Sequence, residues 1–164
     1  MDEAGFGKVR IFMTVACWSN RQGHIPVVLT KYPSLFSNPW QDIQDLGQEE
    51  TLGRPFIINE SVSIVDLKNS DGKNIFGNIS PKIHKATIQN SDTLPDGYGF
   101  IISTWSQLSV KESPKVNYLK RVFEHNRCCY IGDESHTAVT QSALISNNAN
   151  LLKGMAYSIC DTSA

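Results

Sequence analysis

The sequence predicts an α+β domain, a mostly antiparallel β-sheet with two or three packed helices. Three observations lead there. Six or seven segments read as strands, they follow one another without strand–helix–strand alternation, and two or three segments read as helices. The chain has 164 residues, 40% hydrophobic and 19% charged, with a formal net charge of −1. That suits a single folded domain over 1–164 and excludes a disordered tail, a coiled coil or a basic nucleic-acid arm.

Residues 1–6 are expected to lack fixed structure. Val9, Ile11, Met13, Val15 and Cys17 are apolar at period two, which reads as a half-buried strand. Residues 20–23 are turn chemistry. Ile25 to Lys31 is a second strand, and Pro26 moves it toward a sheet edge or a strand end. Asn38-Pro39-Trp40 opens a short helix, with Asn38 as N-cap, Pro39 at the first position and Gly47 as its end. Trp40, Ile43 and Leu46 mark its apolar face.

Phe56 to Leu67 reads as one or two strands, and 69–81 as loop. Ile83 to Gln89 is a weak strand, 91–97 a loop, and Tyr98 to Val110 a strong strand, rich in aromatic and β-branched residues. Ser113-Pro114 opens the best helix, with Val116, Leu119, Val122 and Phe123 as its stripe. Cys128 to Ile131 is a short buried strand. The stretch from His136 to Ile145 fits either state, 146–150 is polar loop, and Gly154 to Cys160 is a last strand.

The acidic start MDEAGFGKVR is not a secretory signal. Apolar runs are short, as at Val27-Val28-Leu29, and none is long enough to span a bilayer. A cytoplasmic setting follows as the expectation, with Cys17, Cys128, Cys129 and Cys160 as reduced thiols.

The sequence offers four constellations. Cys128 and Cys129 with His136 and Asp133 or Glu134 contain the residue types of a thiol hydrolase, but no nucleophile motif surrounds them. Two small hydrophobes in a buried strand is the better reading. His24, His84, His125 and His136 lack the paired spacing of zinc ligands, so no metal is expected. Gly5-Phe6-Gly7-Lys8 has the composition of a phosphate loop but precedes what reads as a strand, whereas phosphate is held at a helix N-terminus. It is set aside on that ground. No catalytic or cofactor-binding residue is expected.

The fourth constellation is charge. Residues 39–50 carry −4 through Asp42, Asp45, Glu49 and Glu50, and 111–127 carry net +3, with Lys115, Lys120, Arg121 and Arg127 among the cations. Such patches suit head-to-tail self-association or an anionic partner.

Met13-Thr14-Val15, then Ser19-Asn20-Arg21, then Trp40 and Asp42, then Gly53-Arg54-Pro55-Phe56 stand in an order that resembles the central segment of rhabdovirus matrix proteins. The resemblance covers about residues 9–60. Here Gln41 separates Trp from Asp, the Lys-rich N-terminal arm is missing from the start of this sequence, and proline-rich late motifs are absent. The resemblance implies a non-enzymatic structural protein of the virion. It would associate with itself and bridge a viral nucleocapsid to an anionic membrane surface, with no small-molecule substrate. Trp40, Arg54, Pro55 and Phe56 would be packing anchors. The competing classes are a β-rich ligand- or protein-binding domain of bacterial or phage origin and a Cys/His-dependent hydrolase.

Overall fold

A computed structural model describes residues 6–31, 37–59, 71, 79–136, 140 and 142–161. The chain forms α1 (Phe6–Arg21), β1 (Ile25–Thr30), α2 (Ser37–Asp45), the single turn α3 (Glu49–Leu52) and β2 (Arg54–Ile58). It continues with α4 (Pro81–Asn90), β3 (Tyr98–Thr104), a 3₁₀ turn (Trp105–Leu108), α5 (Pro114–His125), β4 (Cys128–Gly132), α6 (Ala143–Met155) and β5 (Ser158–Asp161). The five strands make one sheet in the order β2-β3-β1-β4-β5, and every pairing is parallel.

This overturns the antiparallel α+β expectation. The fold is α/β, with helices on both faces of a parallel sheet. Three segments account for the difference. Residues 9–17 lie in α1, where Phe12, Met13, Ala16 and Cys17 are buried while Ile11 is 61% exposed. Burial at i, i+1, i+4 and i+5 is helical, and the apolar alternation was incidental. The fourteen helical residues after Gly7, Lys8 to Arg21, contain no Gly or Pro and also exceed an ordinary strand. Residues 83–89 lie in α4, where Ser80 accepts a hydrogen bond from the Ile83 amide and Pro81 opens the helix. This is the same signature that marks α5, where Ser113 accepts from Val116. Residues 146–150 lie inside α6, capped by Ser142. With these helices in place the chain alternates helix and strand throughout, and parallel pairing follows. Residues 154 and 155 end α6, so the last strand is only Ser158–Asp161. The second half of the expected strand 56–67 lies outside the described residues, as do residues 1–5.

β1 is the central strand, paired with β3 and β4, and not an edge. Pro26 is tolerated because β3 pairing starts one residue later, at Val27. Successive side chains alternate between two buried layers. Val27 and Leu29 enter one with Phe56, Ile101, Tyr130 and the stripes of α4, α5 and α6. Val28, Ile57, Phe100, Ile102 and Ile131 enter the other with α1, α2 and α3. Strands buried on both faces read as short apolar runs, which is what 27–29, 56–58 and 100–102 are.

Trp40 is 4% exposed and packs in the second layer with Ile43. Pro55 and Phe56 are buried in β2, whereas Arg54 is exposed. Trp40→Ala is expected to cost about 3–5 kcal/mol, read by chemical denaturation. Among the described residues no helix is long and apolar enough to cross a membrane.

Candidate functional site

All strands being parallel, their C-terminal ends lie along one edge of the sheet. The connection leaving β1 runs over the α1/α2 face, because Trp40 and Ile43 pack there. The connections leaving β2, β3 and β4 run over the other, through α4, α5 and α6. The β1 and β4 ends are therefore neighbours whose chains depart to opposite faces. Open α/β sheets form their ligand crevice at such a switch point.

Two groups of opposite charge come to that crevice. α1 joins β1 through a tight turn at residues 22–24 and so runs back along it. Its 16 residues span about 24 Å, and the six of β1 about 20 Å. The N-terminus of α1 therefore reaches the C-terminal edge, with Lys8 half-buried in its first turn. The positive end of the helix dipole and a lysine face the same place. β4 supplies the opposite charge. Asp133 and Glu134 directly follow its last residue, Gly132, and the Asp133 amide donates to the Leu29 carbonyl of β1 at 2.9 Å.

Burial pushes the Asp133 carboxyl above its ordinary value of 3.8, the Glu134 charge adds to that, and the Lys8 ammonium opposes it. Lys8 is the one cation among the charges that act on this carboxylate. Glu134 holds φ at 51°, a left-handed conformation that a non-glycine residue adopts only where its surroundings impose it. Gly132 is required beside it. A Cβ there would meet Asp161 Oδ1 at 2.6 Å, Tyr130 Cε1 at 3.2 Å and Trp105 Cη2 at 3.3 Å.

The raised Asp133 pKa has a consequence for stability. A carboxyl that binds its proton more tightly when folded contributes stability below its unfolded pKa and loses it as pH rises through the folded value. Asp133→Asn is therefore expected to raise the melting temperature at pH 7 and to leave it nearly unchanged near pH 3, by thermal denaturation at both.

The other candidates do not converge. Cys128 and Cys129 point into opposite layers and are 0% and 1% exposed. Burial pushes the Cys128 thiol up to about 12. His136 lies beyond the far end of β4, exposed, so the strand separates it from both thiols. Among the described residues no three His, Cys, Asp or Glu side chains converge on a common point.

Several members of the charge clusters have partners within the chain. Arg10 of α1 approaches Asp42 at 3.8 Å and Asp45 at 3.5 Å. Glu49 and Glu50 form the first turn of α3, Glu49 half-buried and Glu50 exposed. Lys115 donates to the Asn59 carbonyl and to Gln107 Oε1. Arg121 donates to the Ile88 and Ser91 carbonyls and caps the end of α4. Arg127 lies over the Tyr157 ring. Lys120 and Arg121 are both half-buried. Reversing Arg121 would free two carbonyls as well as change the charge.

Comparison with family models, with curated proteins and with solved structures finds no match to this chain. Its function is argued from the crevice. Sequence reasoning had Gly5-Phe6-Gly7-Lys8 in view and set it aside because a strand appeared to follow. Phe6, Gly7 and Lys8 instead form the first turn of a helix, so no strand follows them, and Gly5 lies outside the described residues. The Asp133–Glu134 pair was weighed only as a partner for a cysteine. Its position directly after a buried strand was the signal that pointed elsewhere.

Proposed function

We propose that this chain binds a nucleoside triphosphate, with a divalent cation, at the switch-point crevice and hydrolyses it in the manner of P-loop enzymes. The observation that carries the reading is that the topology brings Lys8, in the first turn of α1, and Asp133–Glu134, just after β4, to the same C-terminal edge of the sheet, beside the central strand β1. A glycine-flanked lysine opening a helix suits the outer phosphates, and a strand-end aspartate suits the cation.

The residues divide the work by their chemistry. Backbone N–H groups of the first turn of α1 and the Lys8 ammonium bind phosphate oxygens and offset their charge. Asp133 fits the cation, since one or two carboxylates with phosphate oxygens make an adequate hard-oxygen set. Such a cation supplies electrostatic neutralisation of the charge that builds on the transferring phosphoryl group. Glu134, one residue beyond, orients the attacking water and accepts its proton. The water oxygen bonds to the terminal phosphorus, the bond to the bridging oxygen breaks, and the nucleoside diphosphate leaves with the electron pair.

The sequence departs from the full P-loop pattern at two places. Asp2 stands where its first glycine would be, and Val9 where a serine or threonine hydroxyl would meet the cation. Without that hydroxyl more of the cation's binding falls to Asp133. The likeness to rhabdovirus matrix proteins over about residues 9–60 would instead favour a self-associating structural protein.

The test is a titration with a fluorescent nucleoside triphosphate and Mg²⁺, in the original chain and in Lys8→Ala. Saturable binding that weakens about tenfold or more in Lys8→Ala supports the reading, given the roughly 1.5–3 kcal/mol of a charge-assisted hydrogen bond. Equal binding by both, or none by either, overturns it.

A further inference from the structure

We infer that Trp105 is a positioning residue that fixes the Asp133–Glu134 peptide from across the sheet. The inference rests on the hydrolysis reading of the crevice and asks how its carboxylates are held.

Trp105 opens the 3₁₀ turn after β3 and is 1% exposed. β3 and β4 are not neighbours, because β1 lies between them. The indole nevertheless reaches β4, and its Nε1–H donates to the Asp133 carbonyl at 3.0 Å. Asp133 is thus gripped on two sides. Its amide is held by the Leu29 carbonyl of β1, and its carbonyl by the Trp105 ring. The peptide that starts at this carbonyl leads straight into Glu134, whose left-handed backbone needs support from its surroundings. The same ring lies over Gly132, where an added Cβ would meet it at 3.3 Å, so the strand end cannot rise away from it.

The ring's own base is fixed in turn. Thr104 Oγ1 and Ser106 Oγ share a hydrogen bond at 2.8 Å on either side of it. Two residues on, Gln107 accepts from Lys115 at 2.8 Å. Lys115 also donates to the Asn59 carbonyl at the end of β2, at 3.0 Å. The β2 and β3 ends are therefore tied to the carboxylate pair through one indole. Trp105 need touch neither nucleotide nor cation. Its effect is on the aim of Glu134, which matters for the chemical step and little for phosphate binding at Lys8.

Two replacements separate aim from packing. Trp105→Phe removes the donor and part of the ring. Benzothienylalanine at position 105 keeps the bicyclic shape and puts sulfur where the indole carries its N–H. Phosphate release from ATP with Mg²⁺ is measured for the full chain, both replacements and Lys8→Ala, alongside nucleotide binding and melting temperature. The expected result is a kcat lowered roughly 10- to 100-fold in both replacements, with KM and nucleotide affinity unchanged and the benzothienyl form melting near the original chain. Three results overturn the inference. Unchanged kcat in both replacements, while turnover still depends on Lys8, refutes it alone. Loss of binding together with turnover, or a collapsed melting temperature in the benzothienyl form, assigns the ring to packing. Absence of any Lys8-dependent turnover in the original chain removes the hydrolysis reading, and this inference with it.

Discussion

Glu134→Gln is expected to leave nucleoside triphosphate binding intact and to slow hydrolysis by about 10²–10⁴-fold, the usual contribution of a positioned acid–base group. The substitution keeps the shape and the left-handed backbone of Glu134 and removes only the capacity to take a proton. Lys8→Ala should behave in the opposite way, losing affinity first, because the ammonium contacts the bound phosphate before and during the reaction. Single-turnover phosphate release and equilibrium binding, measured on both variants, make the distinction. Equal turnover in Glu134→Gln and the original chain would remove Glu134 from the chemistry.

A large effect on stability is also expected at Gly99, far from the crevice. Gly99 lies in β3 where α3 meets the sheet, and a Cβ on it would fall onto the Leu52 carbonyl. That neighbour is backbone and cannot rotate away. α3 is a single turn whose Gly53 is itself held at φ 75° against the same segment, with the Arg54 amide bonded to the Gly97 carbonyl at 3.1 Å. The strain therefore has nowhere to go except into moving α3 off the sheet. Gly99→Ala is expected to cost about 3 kcal/mol, the upper end for overpacking, and so to lower the melting temperature by roughly 6–12 °C. A change within a degree or two would show that α3 moves aside easily.

The parts of this fold that were legible in the sequence are those with local chemistry. Ser113-Pro114 opens α5, Trp40 and Ile43 are buried, and the strands at β1, β3 and β4 lie where their apolar runs are. The sheet's direction was hidden by three helices whose patterns resembled something else. α1 carries Val, Ile and Met at alternate positions, and its true stripe is shifted onto Phe12, Met13, Ala16 and Cys17. α6 contains Ser146, Asn147, Asn148 and Asn150, poor helix formers that are tolerated because Ile145, Ala149 and Leu152 anchor its buried face. Asn148 is itself buried and donates to the Leu108 carbonyl, so a polar residue serves as a packing contact.

The crevice was half legible for the same reason. Gly7-Lys8 and Asp133-Glu134 are conspicuous in the sequence, but 124 residues separate Lys8 from the next named partner only along the chain. What brings them together is the antiparallel course of α1 along β1 and the parallel pairing of β1 with β4. Neither can be read from residue spacing. Once a strand is assigned to 9–17, the lysine is placed at a strand entrance and the phosphate reading fails on geometry. The wrong period at 9–17 thus contributed to the wrong fold class and removed the phosphate reading from view.

The central claim is that phosphate binds between the start of α1 and the end of β4. The direct measurement is a backbone amide chemical-shift map of the ¹⁵N-labelled chain, titrated with a non-hydrolysable nucleoside triphosphate and Mg²⁺. The account expects saturable shifts concentrated at Lys8, Val9, Asp133 and Glu134, with Trp18 and Tyr157 at the opposite edge unmoved. Shifts confined to other surfaces, or none at millimolar nucleotide, would contradict it.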